Sequence, residues 1–264
     1  MGGGVKVTGN KDRPLIVAYG AGTNSTAIVT GFKERGIRPD YIVFADTGGE
    51  KPWTYQYIDI FNKWLKRNDF PQIIVVKGDT PKQTKDITLE NECLRLWALP
   101  SKACGYSTCS EKWKISPQNK WAKKQGFSDP AKVIGFDFGE PDRADKAQAE
   151  KGWTKEFPLI EWFWDRGDCE KSILRAGLPL PGKSSCFFCP SSKKHEVLSL
   201  PEDLIERALE IERRGLSPEK GSIYREVKGL GRRFSWAKLV DHYRRQLPLF
   251  DFEDPPHVEC NCYD

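Results

Sequence analysis

No apolar run in these 264 residues approaches the roughly 20 that a bilayer-spanning helix requires, so the chain carries no membrane helix. The opening Met1-Gly2-Gly3-Gly4-Val5-Lys6 lacks the apolar stretch of an export signal and has Lys6 where a myristoylation signal wants Ser or Thr. The expectation is a cytoplasmic protein with no membrane partner. Histidine is scarce, at three residues. His195 is expected at a helix start, His242 on an arginine-rich helix and His257 near the end; such positions are more often structural or solvated, and none receives a catalytic role. Neither charge sign dominates: 42 Lys plus Arg against 37 Asp plus Glu leave a net +5. That permits an anionic partner without demanding one. No internal repeat is visible.

What is present begins with Leu15-Ile16-Val17-Ala18-Tyr19, a buried-strand pattern that breaks into Gly20-Ala21-Gly22-Thr23-Asn24-Ser25 and resumes as an apolar helix. The first N–H groups of a helix have no intrahelical partner, and the helix dipole adds partial positive charge. Such a turn therefore holds a phosphate without a cationic side chain. Tyr41 to Ala45 reads as a second strand ending in Asp46-Thr47-Gly48-Gly49-Glu50, a helix follows from Pro52 to Asn68, and Gln72 to Val76 is a third strand. Strands alternating with helices imply βαβ units, a parallel sheet and a ligand site at the strands' carboxyl ends. The fold class is α/β, a doubly wound, mostly parallel, Rossmann-like sheet with a cysteine-rich helical C-terminal part. Residues 1–13 read as a flexible arm, 14–165 as the nucleotide-binding α/β domain and 166–264 as the cysteine-containing helical region and tail, packed on the same domain.

Further helices are expected around 86–99, 117–125 and 169–175, a strand at 131–136 ending in the charged loop Asp137 to Arg143, and amphipathic helices with basic faces at 204–213 and 236–246. The eight cysteines of a chain without an export signal read as metal ligands or redox groups before disulfides. Cys186-Phe187-Phe188-Cys189-Pro190 is a C-x-x-C in a Gly/Ser-rich turn, and a tight turn points two thiolates at one metal centre. Cys109, Cys104, Cys169 or a tail cysteine would have to join them. A structural zinc site, a thioredoxin-like dithiol and an iron–sulfur cluster all compete at that spacing.

In order along the chain, these motifs resemble the PP-loop superfamily, in the branch that contains phosphoadenosine phosphosulfate (PAPS) reductases, DNA-phosphorothioation sulfurtransferases and reductase-like proteins of phages. Gly20, Ala21, Gly22, Thr23, Asn24 and Ser25 fill the six places of its Ser-Gly-Gly-x-Asp-Ser loop. Asp46-Thr47-Gly48 with Glu50 and Pro52 is similar to its Asp-Thr-Gly signature. Cys109 to Pro117 is similar to its Cys-Cys-x-x-x-Lys-x-x-Pro segment, with Ser110 at the second cysteine. Gly135, Glu140 and Arg143 resemble the arginine loop, and Pro158-Leu159, Trp162, Gly182 and Ser185 lead into the C-x-x-C.

The resemblance implies an adenine nucleotide, ATP or PAPS, held by Tyr19, residues 20–25, Asp46, Thr47, Gly48, Glu50, Gly135, Arg143, Lys112 and Lys114, with magnesium as a further candidate cofactor. It implies a four-iron four-sulfur cluster, zinc being the alternative, on Cys109, Cys186 and Cys189, with Cys169 the expected fourth ligand and Cys104 the next choice. The family's C-terminal Glu-Cys-Gly-x-His is matched by Glu259-Cys260 and then departed from at Asn261-Cys262-Tyr263; Cys260 and Cys262 are the candidate catalytic thiols. The aspartate usual in enzymes that split ATP is Asn24 here. Three functions follow. The first is ATP-dependent activation and sulfur transfer to a nucleic-acid (tRNA or DNA) or small-molecule acceptor, with Lys183 also near the phosphates and Arg207, Arg213, Arg214, Arg232, Arg233, Arg244 and Arg245 along the strand. The second is PAPS or APS reduction with a thioredoxin-like reductant. The third is a non-catalytic nucleotide-binding module.

Overall fold

The computed structural model describes residues 13–78, 88–127, 129–147, 153–220 and 227–246. The candidate thiols Cys260 and Cys262 lie outside them. In chain order the elements are β1 (Leu15–Tyr19), α1 (Thr23–Glu34), β2 (Tyr41–Asp46), α2 (Pro52–Arg67), β3 (Ile73–Lys77), α3 (Leu89–Leu96), α4 (Thr108–Ser110), α5 (Ser116–Lys124), β4 (Ala131–Val133), α6 (Pro141–Ala147), β5 (Thr154–Glu156), α7 (Pro158–Glu161), α8 (Arg166–Arg175), α9 (Lys194–Leu198), α10 (Glu202–Gly215) and α11 (Trp236–Gln246). A π-turn over Glu111–Ile115 joins α4 to α5. Among the described residues, no helix is long and apolar enough to cross a membrane.

The five strands form one parallel sheet in the order β3-β2-β1-β4-β5. β1 is buried on both faces, which is why it reads as a continuous apolar run. Leu15, Val17 and Tyr19 face a core shared with α1, α2 and α8, while Ile16 faces a smaller one that includes Ala122 of α5. This period of two makes the domain doubly wound, with helices on either side of the sheet. From β1 the chain first builds toward β2 and β3, then returns to the other side with β4 and β5. The strand order reverses at β1, and the crevice beyond the carboxyl ends of β1 and β4 is the switch point where this architecture takes ligands. β4 is shorter than the apolar run 131–136: after Val133 the chain leaves the ladder through Gly135, which approaches α1 closely.

A second core gathers Cys93 of α3, Trp113, Cys186, Phe187, Phe188 and the apolar stripes of α10 and α11. The two cores draw on both sides of residue 165. α8 lies against α1, where Thr30 and Ser172 share a 2.8 Å hydroxyl–hydroxyl bond, whereas α3 packs with the C-terminal helices.

Candidate functional site

Ala21 takes φ of +55° in the loop between β1 and α1, a left-handed conformation that favours glycine, and it is buried there. Gly22 begins α1, whose first intrahelical bond runs from Thr26 N to Gly22 O at 3.0 Å. The N–H groups of Thr23, Asn24 and Ser25 precede that bond and point out of the helix start. The Ser25 hydroxyl braces the turn, accepting from Gly20 N at 3.2 Å and Gly22 N at 3.3 Å. Thr23 Oγ1 and Asn24 Oδ1 are buried without a partner among the described residues. Tyr19 ends the strand as a core residue; its hydroxyl meets Thr26 Oγ1 at 3.3 Å, and burial raises its pKa.

Asn24 joins this loop to the one after β4. Its Nδ2 donates to Gly135 O at 3.3 Å, Asp137 Oδ2 at 3.1 Å and Glu140 Oε2 at 3.5 Å. All three partners are acceptors, which fixes the amide orientation. Gly135 is needed for the approach, since a Cβ there would lie 3.0 Å from Ser25 N. An aspartate in place of Asn24 would lose the donors and stand as a third carboxylate beside Asp137 and Glu140. Asn24→Asp is therefore expected to cost about 1–2 kcal/mol of stability. Urea titration of both proteins without divalent cations checks this, and equal midpoints would contradict it. Arg143 pairs with Glu140 and stacks on the Phe136 ring, 4.5 Å from its centroid, on the exposed side of the same loop.

The loop after β2 is joined to the C-x-x-C. Asp46 Oδ1 accepts from Gly48 N and from Tyr55 Oη, both at 2.8 Å. Beyond it, Glu50 and Cys186 form an antiparallel bridge, with Phe187 N donating to Gly49 O at 2.8 Å and Lys51 N to Ser185 O at 3.2 Å. Ser184 completes the seam by donating its hydroxyl to Gly20 O, in the first loop. Behind this backbone pairing lies a buried polar knot. Thr47 Oγ1 donates to Glu50 Oε1 at 3.3 Å and lies 3.2 Å from Cys186 Sγ. Lys114 Nζ reaches Glu50 Oε1 at 2.8 Å, while Glu50 Oε2 is buried with no partner among the described residues. Burial, then the Glu50 charge, push the Cys186 thiol up to about 12, and Lys114 pulls it partly back. Burial lowers the Lys114 amine, but Glu50 and the neighbouring sulfurs outweigh it and the net shift is upward. Lys112 points elsewhere, to both Glu92 oxygens at 2.6 and 2.7 Å, and Lys183 pairs with Glu196 at 2.6 Å.

Five of the six described cysteines sit in the two cores, and Cys104, half-buried at the end of the short turn Ser101–Cys104, is in neither. Cys109, Cys186 and Cys189 belong to the second. Cys169 does not join them: it is buried in the first core on α8, where burial and then Asp137 raise its thiol to about 12. Cys93 is the cysteine that the structure brings to the other three. It follows Glu92, whose carboxylate receives Lys112 and, at 3.0 Å, Trp113 Nε1, and α3 starts where Leu89 N donates to Thr47 O at 3.0 Å. The charges of Cys109 and Cys186 both act on the Cys93 thiol, which burial already raises. Sequence spacing gave no sign of this, because Cys93 occupies an ordinary core position of an amphipathic helix. None of the described cysteines forms a disulfide, and among the described residues no three His, Cys, Asp or Glu side chains converge tightly enough to hold one metal ion.

No family model matches the chain, and no curated protein matches it. Among solved structures it is similar to the crystal structure of phosphoadenylyl-sulfate (PAPS) reductase from Candida auris in its phosphate complex, at 18% identity, over 64% of this chain and 75% of that one, with a TM-score of 0.38.

Proposed function

We propose that this chain is an enzyme that binds an adenine nucleotide at the switch point and carries out sulfur chemistry on the adjoining cysteines, with ATP-dependent activation and sulfur transfer as the reaction. The observation that supports it best is the seam in which Ser184 and Cys186 bond to both strand-end loops, so that a buried thiol and the anion-binding turn belong to one polar network. The N–H groups of Thr23, Asn24 and Ser25 receive the phosphates, and Lys114 and Arg143 are the cations beside them. The acceptor's oxygen bonds to the α-phosphorus and pyrophosphate leaves. Sulfur at the hydrosulfide level then forms the new bond to the acceptor's carbon as the carbon–oxygen bond to AMP breaks, so the exchange is redox-neutral. No sulfur donor is read from the site.

The thiol set is compatible in kind with an iron–sulfur centre, whose usual ligands are thiolates: three cysteines from two segments and Cys93 from a third share one core. Cys93, Cys109, Cys186 and Cys189 would hold it, and a bound cluster supplies sulfur or electrons. Anaerobic preparations of Cys93→Ser and Cys169→Ser are expected to differ. The first should lose the bulk of its visible absorbance and bound iron, the second should keep both, and the reverse would contradict this ligand set. The reaction is tested by incubating the protein with ATP, sulfide and tRNA or single-stranded DNA, and separately with PAPS and thioredoxin. Acceptor-dependent AMP formation supports transfer. Sulfite release from PAPS would replace it with reduction, and nucleotide binding without turnover in either would mark a binding module.

A further inference from the structure

Five of the seven arginines singled out in the C-terminal region are internally neutralised. Arg207 pairs with Glu90, Arg213 and Arg214 with Glu210, Arg244 with Glu202 and Glu206, and Arg245 with Asp241. Arg232 and Arg233 are different: among the described residues neither guanidinium has an ion pair, and both face a cavity of about 410 Å3 together with Lys102. Among the described residues no carboxylate lines that cavity. One wall is Pro190, Ser191 and Ser192, which directly follow Cys189, and another includes Gly105 and Ser107, the latter two residues before Cys109.

The cavity shows further signs of a built site. Ser192 lines the cavity but is 5% exposed, and its Oγ is buried with no partner among the described residues. Gly105 has φ of +90°, and a Cβ there would lie 2.9 Å from an Arg232 nitrogen; the glycine is what lets the guanidinium lie over the backbone. Tyr106 is 67% exposed, yet its backbone is pinned, its N–H donating to Ser101 O at 3.1 Å. Cys109 N donates to Ser101 Oγ at 2.8 Å and holds the same turn. Three cations with no ion pair among the described residues line one cavity, and the exposed Tyr106 stands in the chain between its lining residues Gly105 and Ser107; cations with an aromatic ring at hand are the combination that takes a phosphodiester and its base.

We propose that this cavity binds a single-stranded nucleic acid, with a backbone phosphate between Lys102, Arg232 and Arg233 and a base on Tyr106. Its lining residue Pro190 directly follows Cys189 and Ser107 precedes Cys109 by two positions, whereas the loop after β2 is joined to Cys186. As the acceptor's place it rests on the transfer reading above. Binding of the strand is measured without ATP, so the two fail separately.

The test is fluorescence anisotropy of a labelled single-stranded DNA of about 12 nucleotides with the full chain, at salt between about 50 and 200 mM. Arg232→Gln/Arg233→Gln and the control Arg244→Gln/Arg245→Gln each remove two formal charges. The first pair is expected to weaken binding about tenfold or more at about 100 mM salt and to flatten the salt dependence; the control is expected to change it less than about twofold. Tyr106→Ala, at a largely exposed residue, should weaken binding by about fivefold or more with an unchanged melting temperature. Equal losses in both arginine pairs would mean diffuse surface charge and overturn the proposal. So would absence of strand binding, including the case where inorganic phosphate or a mononucleotide binds the cavity instead.

Discussion

Glu212→Ala is expected to lower stability by about 3–5 kcal/mol, the largest effect of any single substitution considered for this fold. Glu212 lies on α10, is 3% exposed and has no ion pair among the described residues; its partners are four donors. Oε2 accepts from Leu230 N at 2.7 Å and Trp236 N at 2.9 Å, and Oε1 from the Ser235 hydroxyl at 2.6 Å and Ala237 N at 3.0 Å. Trp236 and Ala237 open α11, so a carboxylate from one helix caps the positive end of another. A Cβ on Gly229 would lie 2.4 Å from Glu212 Oε2, so only glycine allows the chain that close. Alanine would leave these donors buried and unpaired, while Glu212→Gln keeps one acceptor oxygen and should cost about half as much. Urea denaturation measures both, and a loss below about 1 kcal/mol for alanine would show that the donors find water. Because residues 229–236 carry Arg232 and Arg233, the same substitution should also weaken strand binding.

Lys114→Met is expected to do more to chemistry than to folding. It strands the Glu50 carboxylate, whose side chain has no exposure, with the Thr47 hydroxyl as its remaining donor and the Cys186 thiol 3.9 Å away. Removing one member of a buried pair costs about 3–5 kcal/mol; Lys114 is itself 36% exposed, which brings the expectation down to about 2–3 kcal/mol. Turnover should fall by about a hundredfold or more, as a cation beside the phosphates is lost. The double variant Glu50→Gln/Lys114→Met separates the two effects. It should regain most of the stability, because no charge is left buried, and none of the activity. Recovery of turnover in the double variant would assign Lys114 a structural part only.

The fold and the strand–turn–helix form of the Gly20 to Ser25 loop were legible because both are local. A continuous apolar strand, a break at Gly20 to Gly22 and an apolar helix restart predict a strand–turn–helix unit, and repetition of that unit predicts a parallel sheet. The loop after β2 was legible for the same reason. Cys93 was not, since an amphipathic helix gives a cysteine at a buried position no reason to differ from a leucine; its nearness to Cys109 and Cys186 arises from α3 packing on the C-terminal helices. The expectation for Cys169 went the other way: nearness in sequence to the C-x-x-C suggested nearness in space, but α8 turns its buried face to α1. Cations show the same limit. Composition reveals Arg207, Arg213, Arg214, Arg232, Arg233, Arg244 and Arg245 as equals, and only tertiary contacts separate the five that are paired from Arg232 and Arg233. Glu212 reads as one more surface carboxylate in Glu210-Ile211-Glu212-Arg213-Arg214, and its role becomes visible only once α11 begins against it. Asn24, which from sequence is a lost magnesium contact, is in the structure a donor to two carboxylates and a carbonyl.

The account stands on an adenine nucleotide bound beside a cysteine-held centre, and one titration addresses both halves. Anaerobically prepared protein is titrated with ATP, and then with PAPS, while its visible absorption is followed. The account predicts a coloured protein whose spectrum shifts saturably with one of these nucleotides, and no shift in Gly135→Val, where the new side chain would crowd Ser25 N. A colourless protein, or a coloured one whose spectrum neither nucleotide changes, would contradict it.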